Sequence, residues 1–287
     1  MDRGLIELSS GFAESIVRHS VTGRLAANFI CREGKTLLSH SSHCTPLKMT
    51  KPFEYPDMSL GICMMDCSPG VLSGDRYSID IRLAAGSDVH VTNQTFTKVH
   101  PARCGVGGAM EQRLVVGEGS FLHYDVEPTM LFKDSKFHSV IDIELEADSH
   151  FIFHDILCPG RTSRGELFQF EEYSNRINVR RMGELIYANR MLVHPHRMPA
   201  NEVGLWGEHT HFGTLLLFSR HVNERILEEV RHQIDELVWM ERMEIGASLT
   251  YKDGIVISGL ASHAWQLQMM FRQLAQWFRK VVKNKDM

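Results

Sequence analysis

The chain has 287 residues, with 31 Lys and Arg against 35 Asp and Glu, a formal net charge of -4 and 43% hydrophobic residues. That length can bury a sizeable core without disulfide or metal staples. The charge balance lacks both the basic footprint of a nucleic-acid binder and the polybasic block of a membrane-surface protein.

Apolar runs such as Leu215–Phe218 fall far short of the ~20 residues of a membrane span. The opening residues MDRGLIELSSGF show no basic segment leading into a long apolar one, so no secretory signal is expected. The expected compartment is the cytoplasm. There the scattered Cys31, Cys44, Cys63, Cys67, Cys104 and Cys158 should be free thiols.

Residues 1 to about 215 read as strands and turns, and about 219 to 283 as two helices around a hairpin, within one domain spanning 1–287. Early in the first region, His40, His43 and Cys44 (SHSSHC) cluster in what reads as a polar loop. Imidazole and thiolate suit Ni²⁺ or Zn²⁺, but a solvated loop has the same composition. Cys63 and Cys67 have no second pair, so a zinc knuckle is not expected.

Gly70-Val-Leu-Ser-Gly74-Asp75 only loosely matches a phosphate loop. It lacks the Gly-Lys-Ser/Thr ending, and a strand pattern follows instead of a helix. Its glycines read as turn residues before Tyr77, Ile79, Ile81 and Leu83, which are apolar at every second position. Gly86-Ser87-Asp88 marks the next turn, and Val89 and Val91 resume the alternation. Ile141, Ile143 and Leu145 repeat the pattern.

Leu83, Leu114 and Leu145 are 31 residues apart each time. Each opens a turn containing serine and then a strand with a histidine: His90, His123 and His154. A fixed period with strand–turn–strand content predicts stacked β units. The expected fold is mainly β, with short strands stacked as in a β-helix or solenoid and a C-terminal pair of α-helices. The polar segments after the hairpins (92–100, 125–128 and 155–161) should then form one strip along the stack.

Two His-x-His pairs follow, His194/His196 and His209/His211. On a strand, residues i and i+2 share a face, so such a pair can chelate a metal. This supports an alternative reading as a metal-dependent β-rich enzyme. A third ligand is missing, because Gly213 to Leu217 supply none and Glu208 is the nearest substitute. There is no Gly-x-Ser-x-Gly nucleophile elbow, and no complete catalytic set emerges.

Ser219 can cap a helix through Arg242, with Val222, Ile226, Val230, Ile234 and Val238 four apart. Asp253-Gly254 marks a tight hairpin. A second helix spans about Ser262 to Val282, with Leu260, Ala264, Leu267, Phe271, Leu274, Phe278 and Val281 on one side. Trp265, Met269, Met270 and Trp277 widen its apolar surface, so it either caps the β body or docks a partner.

Four segments in order resemble the urease accessory protein UreD (UreH) family. The first runs from Pro69-Gly70-Val71-Leu72-Ser73-Gly74-Asp75-Arg76 through the strand into Thr92-Asn93-Gln94-Thr95-Phe96-Thr97-Lys98-Val99. The second is Tyr124 to Ser135, with Glu127-Pro128 and Phe132-Lys133-Asp134-Ser135. The third is Gly160-Arg161-Thr-Ser-Arg-Gly165-Glu166, and the fourth is the last helix with Trp277 and Arg279. Arg103 to Gly108 and the His-x-His pairs depart from the family pattern.

The resemblance implies a non-enzymatic chaperone for assembly of the urease nickel centre. It implies action on apo-urease with a helical UreF-type protein and a UreG-type GTPase, which performs the GTP hydrolysis. No tightly bound cofactor is expected, and Ni²⁺ would be handled transiently. The candidate metal-path or partner-facing strip is Thr97, Lys98, His100, Asp125, Glu127, Asp155, Arg161 and Glu166. Weak oxygen and nitrogen donors would suit transfer better than storage. The competing account is that these residues only satisfy one another.

Overall fold

A computed structural model of the chain describes residues 22–197, 205–237 and 243–286. The MDRGLIELSSGF segment and the expected first-helix end, with Val238 and Arg242, lie outside the described residues.

The strands in chain order begin with β1 (Gly23–Arg32), β2 (Lys35–Cys44), β3 (Leu47–Met49), β4 (Phe53–Glu54), β5 (Leu60–Asp66) and β6 (Arg76–Leu83). They continue with β7 (Asp88–Asn93), β8 (Thr97–Val99), β9 (Gly108–Val116), β10 (Phe121–Asp125), β11 (Thr129–Leu131) and β12 (Lys136–Leu145). Then come β13 (His150–Cys158), β14 (Glu172–Arg181), β15 (Glu184–Val193) and β16 (His211–Phe218). The C-terminal part is α1 (Glu224–Leu237), β17 (Met243–Leu249), β18 (Gly254–Ala261) and α2 (Ala264–Asp286).

The expected β stack is borne out. Successive turns of chain alternate between two facing sheets, one ordered β15-β14-β12-β9-β6-β1-β2 and the other β17-β18-β16-β13-β10-β7-β5-β3. The inner strands of both sheets pair in parallel, as coils laid one on another must.

Side-chain parity decides what each sheet buries. On β12 every second residue is buried and its neighbours are half-buried, so the first sheet has one core face and one solvent face. In the second sheet, β10 is buried throughout and β13 nearly so. Its inner face, with Val89, Val91, Leu122, Tyr124, Phe151 and Phe153, packs between the sheets. Its outer face, with Phe121, Ile152, Ile156, Leu215 and Leu217, packs under the helices. Leu267, Phe271, Leu274 and Phe278 of α2 are fully enclosed there, each worth roughly 1.5–3 kcal/mol of burial. Trp265 stays outward at 55% exposure, whereas Met270 is buried and Met269 and Trp277 are partly so.

The register differs from the one expected. Leu83 pairs with Val116, and Val116 with Leu145, so Leu114 sits one inward position early, beside Ile81 and Ile143. The turn serines mark the true alignment. Ser87, Ser120 and Ser149 are all fully buried, and the Ser120 hydroxyl accepts the Ser87 N–H and donates to the Ala84 carbonyl. His90 therefore pairs with His123, whereas His123 pairs with Ile152 and His154 falls two residues further on.

Other boundaries move for identifiable reasons. The SHSSHC cluster is on strand β2, not in a loop, so His40 and His43 have opposite parity and cannot face one ion together. Ser219 does not cap α1, because β16 runs to Phe218 and the chain must first leave the sheet. Its hydroxyl accepts the His221 N–H, and Asn223 caps instead by accepting the Ile226 N–H. Leu260 belongs to β18. At the start of α2 the Gln266 side chain accepts the His263 N–H, half of a capping box. The Asp253-Gly254 hairpin is as expected, with Asp253 at φ 51°.

Gly70, at φ 134°, lies against the Lys98 carbonyl where a Cβ would collide. This close approach joins the 69–76 turn to β8, through the Val71 N–H on Lys98 and the His100 N–H on Val71.

Candidate functional site

The first two polar segments meet where Thr92 pairs with Asp125, and the ladder continues just past the second segment. Thr97 pairs with Thr129 and Thr129 with Leu157, while Lys98 pairs with Met130 and Met130 with Cys158. Parity then sends the expected strip into three environments.

The first is a cavity of about 90 Å³ between the two sheets. Thr97, Lys98, Glu127 and Asp155 line it. Its size admits several waters. Exposed residues around Gln94, Thr95, Lys98 and Pro69 contribute to the lining, so it opens to solvent on that side. Tyr77, Gln112, Tyr124, Ser139 and Phe153 line its interior. The Tyr124 hydroxyl donates to Gln112 Oε1 at 2.6 Å.

Asp155 is the acidic group furthest inside. Asn175 Nδ2 donates to its Oδ2 at 2.6 Å, and the Tyr173 hydroxyl lies 3.4 Å away. Burial nevertheless pushes its carboxyl up to about 6, outweighing the hydrogen bond from Tyr173. Among the described residues no cation pairs with it. The cavity thus combines oxygen donors with a carboxyl that takes up or releases a proton near neutral pH.

The second environment lies on the opposite face of the same sheet. Asp125 sits beneath α2, with Oδ1 3.4 Å from Arg272 Nε. Its carboxylate also faces His90 and His154 at 3.6 and 3.3 Å. Burial opposes its charge, but His90 and the neighbouring imidazoles and Arg272 hold it well below the usual carboxylate range. Glu127, which also borders the cavity, accepts from Arg272 Nη2 at 2.7 Å and Gln268 Nε2 at 2.8 Å. Glu127 is therefore the hinge between the cavity and the helix.

The third environment is centred on Phe132. His100 meets its ring edge at 4.9 Å, and the Arg161 guanidinium lies 4.1 Å from the ring centroid. Arg161 holds Glu166 in a two-pronged pair, with Nε to Oε2 at 2.8 Å and Nη2 to Oε1 at 2.5 Å. Glu166 also accepts the Lys133 N–H at 3.3 Å. The hydrogen bond from Arg161 lowers its carboxyl.

The His-x-His pairs do not form the chelates their spacing suggested. His194 follows the last residue of β15, and His209 and Thr210 precede β16, so neither pair has the strand geometry that would align it. His194 and His209 lie near Glu172 and Glu244 respectively. Burial pushes His211 down to about 4. Among the described residues, the group of three potential ligands that does assemble is His90, His123 and Asp125.

The sequence matches the family described as UreD urease accessory protein over residues 21–287. The chain belongs to that family. Its relatives include a urease accessory protein UreD of Acetivibrio thermocellus, 30% identical over 84% of this chain and 90% of the relative. A urease accessory protein UreH of Helicobacter hepaticus is 27% identical over 84% and 92% of the two chains. One from Helicobacter pylori G27 is 26% identical over 88% and 93%. The match spans both sheets and both helices, so the cavity and the helix-covered face both belong to the UreD unit. No helix among the described residues is long and apolar enough to cross a membrane.

Gln112, Tyr173, Asn175 and Arg272 were not singled out by the sequence. Their partners lie 12 to 147 residues away, and they acquire a role only when the sheets close.

Proposed function

We propose that this UreD-family protein is a non-enzymatic scaffold for assembling the urease nickel centre, working in the cytoplasm on apo-urease with a UreF-type helical protein and a UreG-type GTPase. The cavity between the sheets carries this reading. It offers weak hydroxyl, amide and carboxylate donors instead of a closed ligand cage, which suits an ion in transit. Ni²⁺ is the cargo, not a resident cofactor of this cavity. Thr97, Lys98, Glu127 and Asp155 are its polar contacts. A cation close to Asp155 would favour the carboxylate and release its proton. Arg161, Glu166 and His100, braced on Phe132, are assigned to the partner-facing edge.

The test is co-expression with apo-urease and both partners, followed by pull-down, nickel analysis and urease assay. Glu127→Ala and Asp155→Asn should leave the complexes intact and lower the nickel content of urease. Full nickel and activity in both variants would refute the path. Failure of the unaltered chain to co-purify with apo-urease would refute the scaffold.

A further inference from the structure

His90 on β7, His123 on β10 and His154 on β13 all point outward from the second sheet, away from the cavity and toward α2. The donor atoms of His90, His123 and Asp125 lie within 4.8 Å of one another. The His90 and His123 rings stack at 4.2 Å, and Tyr55 stacks on the far side of His90 at 4.8 Å. His154 Nε2 is 3.3 Å from the second oxygen of Asp125. His123 is 4% exposed, and its Nε2 has no hydrogen-bond partner. A buried polar atom left so costs about 1–3 kcal/mol, and native proteins seldom tolerate it without a purpose.

We infer that His90, His123 and Asp125 form a buried binding site for one borderline divalent transition ion of the Zn²⁺, Ni²⁺ or Co²⁺ type, with His154 as an additional imidazole beside it.

The donor set selects that class. Two or three imidazoles and one carboxylate suit Zn²⁺, Ni²⁺ and Co²⁺, whereas Ca²⁺ and Mg²⁺ prefer all-oxygen shells and Cu⁺ prefers sulfur. Such ions bind nitrogen and oxygen at about 2.0–2.2 Å, so binding requires the donors to close by roughly 1 Å. Burial lowers His123 well below the ordinary imidazole value and lowers His154 as well.

The surrounding charge does not exclude a cation. Arg272 is held by Asp125 and Glu127. Arg279 and Lys283 are held by Asp57 and Asp88. Four carboxylates therefore face three cations, and one negative charge remains in excess. The site departs from the sequence expectation that no ion is held tightly. It lies across the sheet from the proposed nickel path and does not depend on it.

The test uses the purified full chain, stripped with a chelator and titrated with Co²⁺ alone. The expected result is visible absorption saturating at one equivalent and removed by Zn²⁺. His90→Ala, at a partly exposed position, and His123→Gln should each weaken the signal by more than the roughly 10–100-fold lost with an outer-shell partner. A double His40→Ala/His43→Ala variant should retain it. Zn²⁺ should raise the melting temperature of the unaltered chain but not of His90→Ala. If His123→Gln does not fold, His90→Ala alone decides. Absence of a one-equivalent signal, or a signal unchanged in a folded His90→Ala protein, overturns the site.

Discussion

Replacing Asp155 with Asn should stabilise the protein above pH 6 and leave it nearly unchanged at pH 4. Burial raises this carboxyl from an ordinary value of 3.8 to about 6 in the folded chain. The sign follows from linkage. Between those values the folded state holds a proton that the unfolded state has released, so stability falls as pH rises through the window. A shift of about two units corresponds to about 3 kcal/mol, reached fully above pH 6 and absent below the unfolded value. Asn keeps the shape without the charge, and its side-chain oxygen can still accept from Asn175. Urea unfolding at pH 4 and pH 7.5 measures the difference between variant and wild type. At pH 7.5 the variant midpoint should rise by about 1 M for an m-value near 3 kcal/mol/M. The comparison must be between proteins at each pH, because buried imidazoles such as His211 change stability with the opposite sign in the same range. An equal midpoint shift at both pH values, or a loss at pH 7.5, would refute the account of a charged, enclosed carboxylate.

The folded His211 value of about 4 lies below the ordinary 6.5, so its contribution is present above pH 6.5 and is lost as pH falls toward 4. His211→Phe should therefore shrink the stability loss between pH 7 and pH 4.5 by up to about 3 kcal/mol, read from the same urea series. Arg279 is 8% exposed, holds Asp57 and Asp88 and lies 4.4 Å from the Phe121 ring centroid. Arg279→Ala should cost about 3 kcal/mol, and Lys should recover less than half of it, because it cannot form the fork or stack flat on the ring. Thermal or urea unfolding of the three proteins checks this. Gly70→Ala should cost at least about 2 kcal/mol, against about 1 for Gly105→Ala, since both have positive φ but only Gly70 abuts the Lys98 carbonyl.

The stack was legible because its signal is local. Alternation in 77–83 and 141–145 reports one buried face, and the turns carry Ser87, Ser120 and Ser149 at equivalent places. Counting from leucines gave an equal spacing but a register shifted at Leu114, because Leu114 and Val116 are both inward and apolar and either can be mistaken for the repeat. The buried turn serines fix the phase: the Ser120 and Ser149 hydroxyls donate to the Ala84 and Glu146 carbonyls, and the Ser120 hydroxyl also holds the Ser87 N–H. The helices were legible from their apolar stripe, but their starts were set by the ends of β16 and β18, which propensity does not encode. The His-x-His pairs misled because i, i+2 spacing has meaning only inside a strand, and these pairs sit at strand ends.

The candidate site was only half legible, for a reason that also explains its chemistry. Asp125 and Asp155 occupy similar places after successive hairpins, so the sequence put them on one strip. Asp125 shares outward parity with His123, whereas Asp155 shares inward parity with Phe153 and follows the outward His154 directly. A single sheet therefore carries on one face a carboxyl that burial raises to about 6, and on the other a carboxylate that imidazoles and Arg272 keep ionised. The inner group suits passage, because it can exchange a proton for a passing cation. The outer group suits retention, because its charge is permanent and nitrogen donors surround it. Glu127 touches both the cavity and Arg272 of α2, so a cation drawing Glu127 inward would loosen the clamp on α2. Arg272→Gln should therefore weaken α2 docking while leaving the cavity lining in place. Hydrogen exchange should rise in α2 but not in β10 or β13, and equal rises in all three would show that the two faces are not separable.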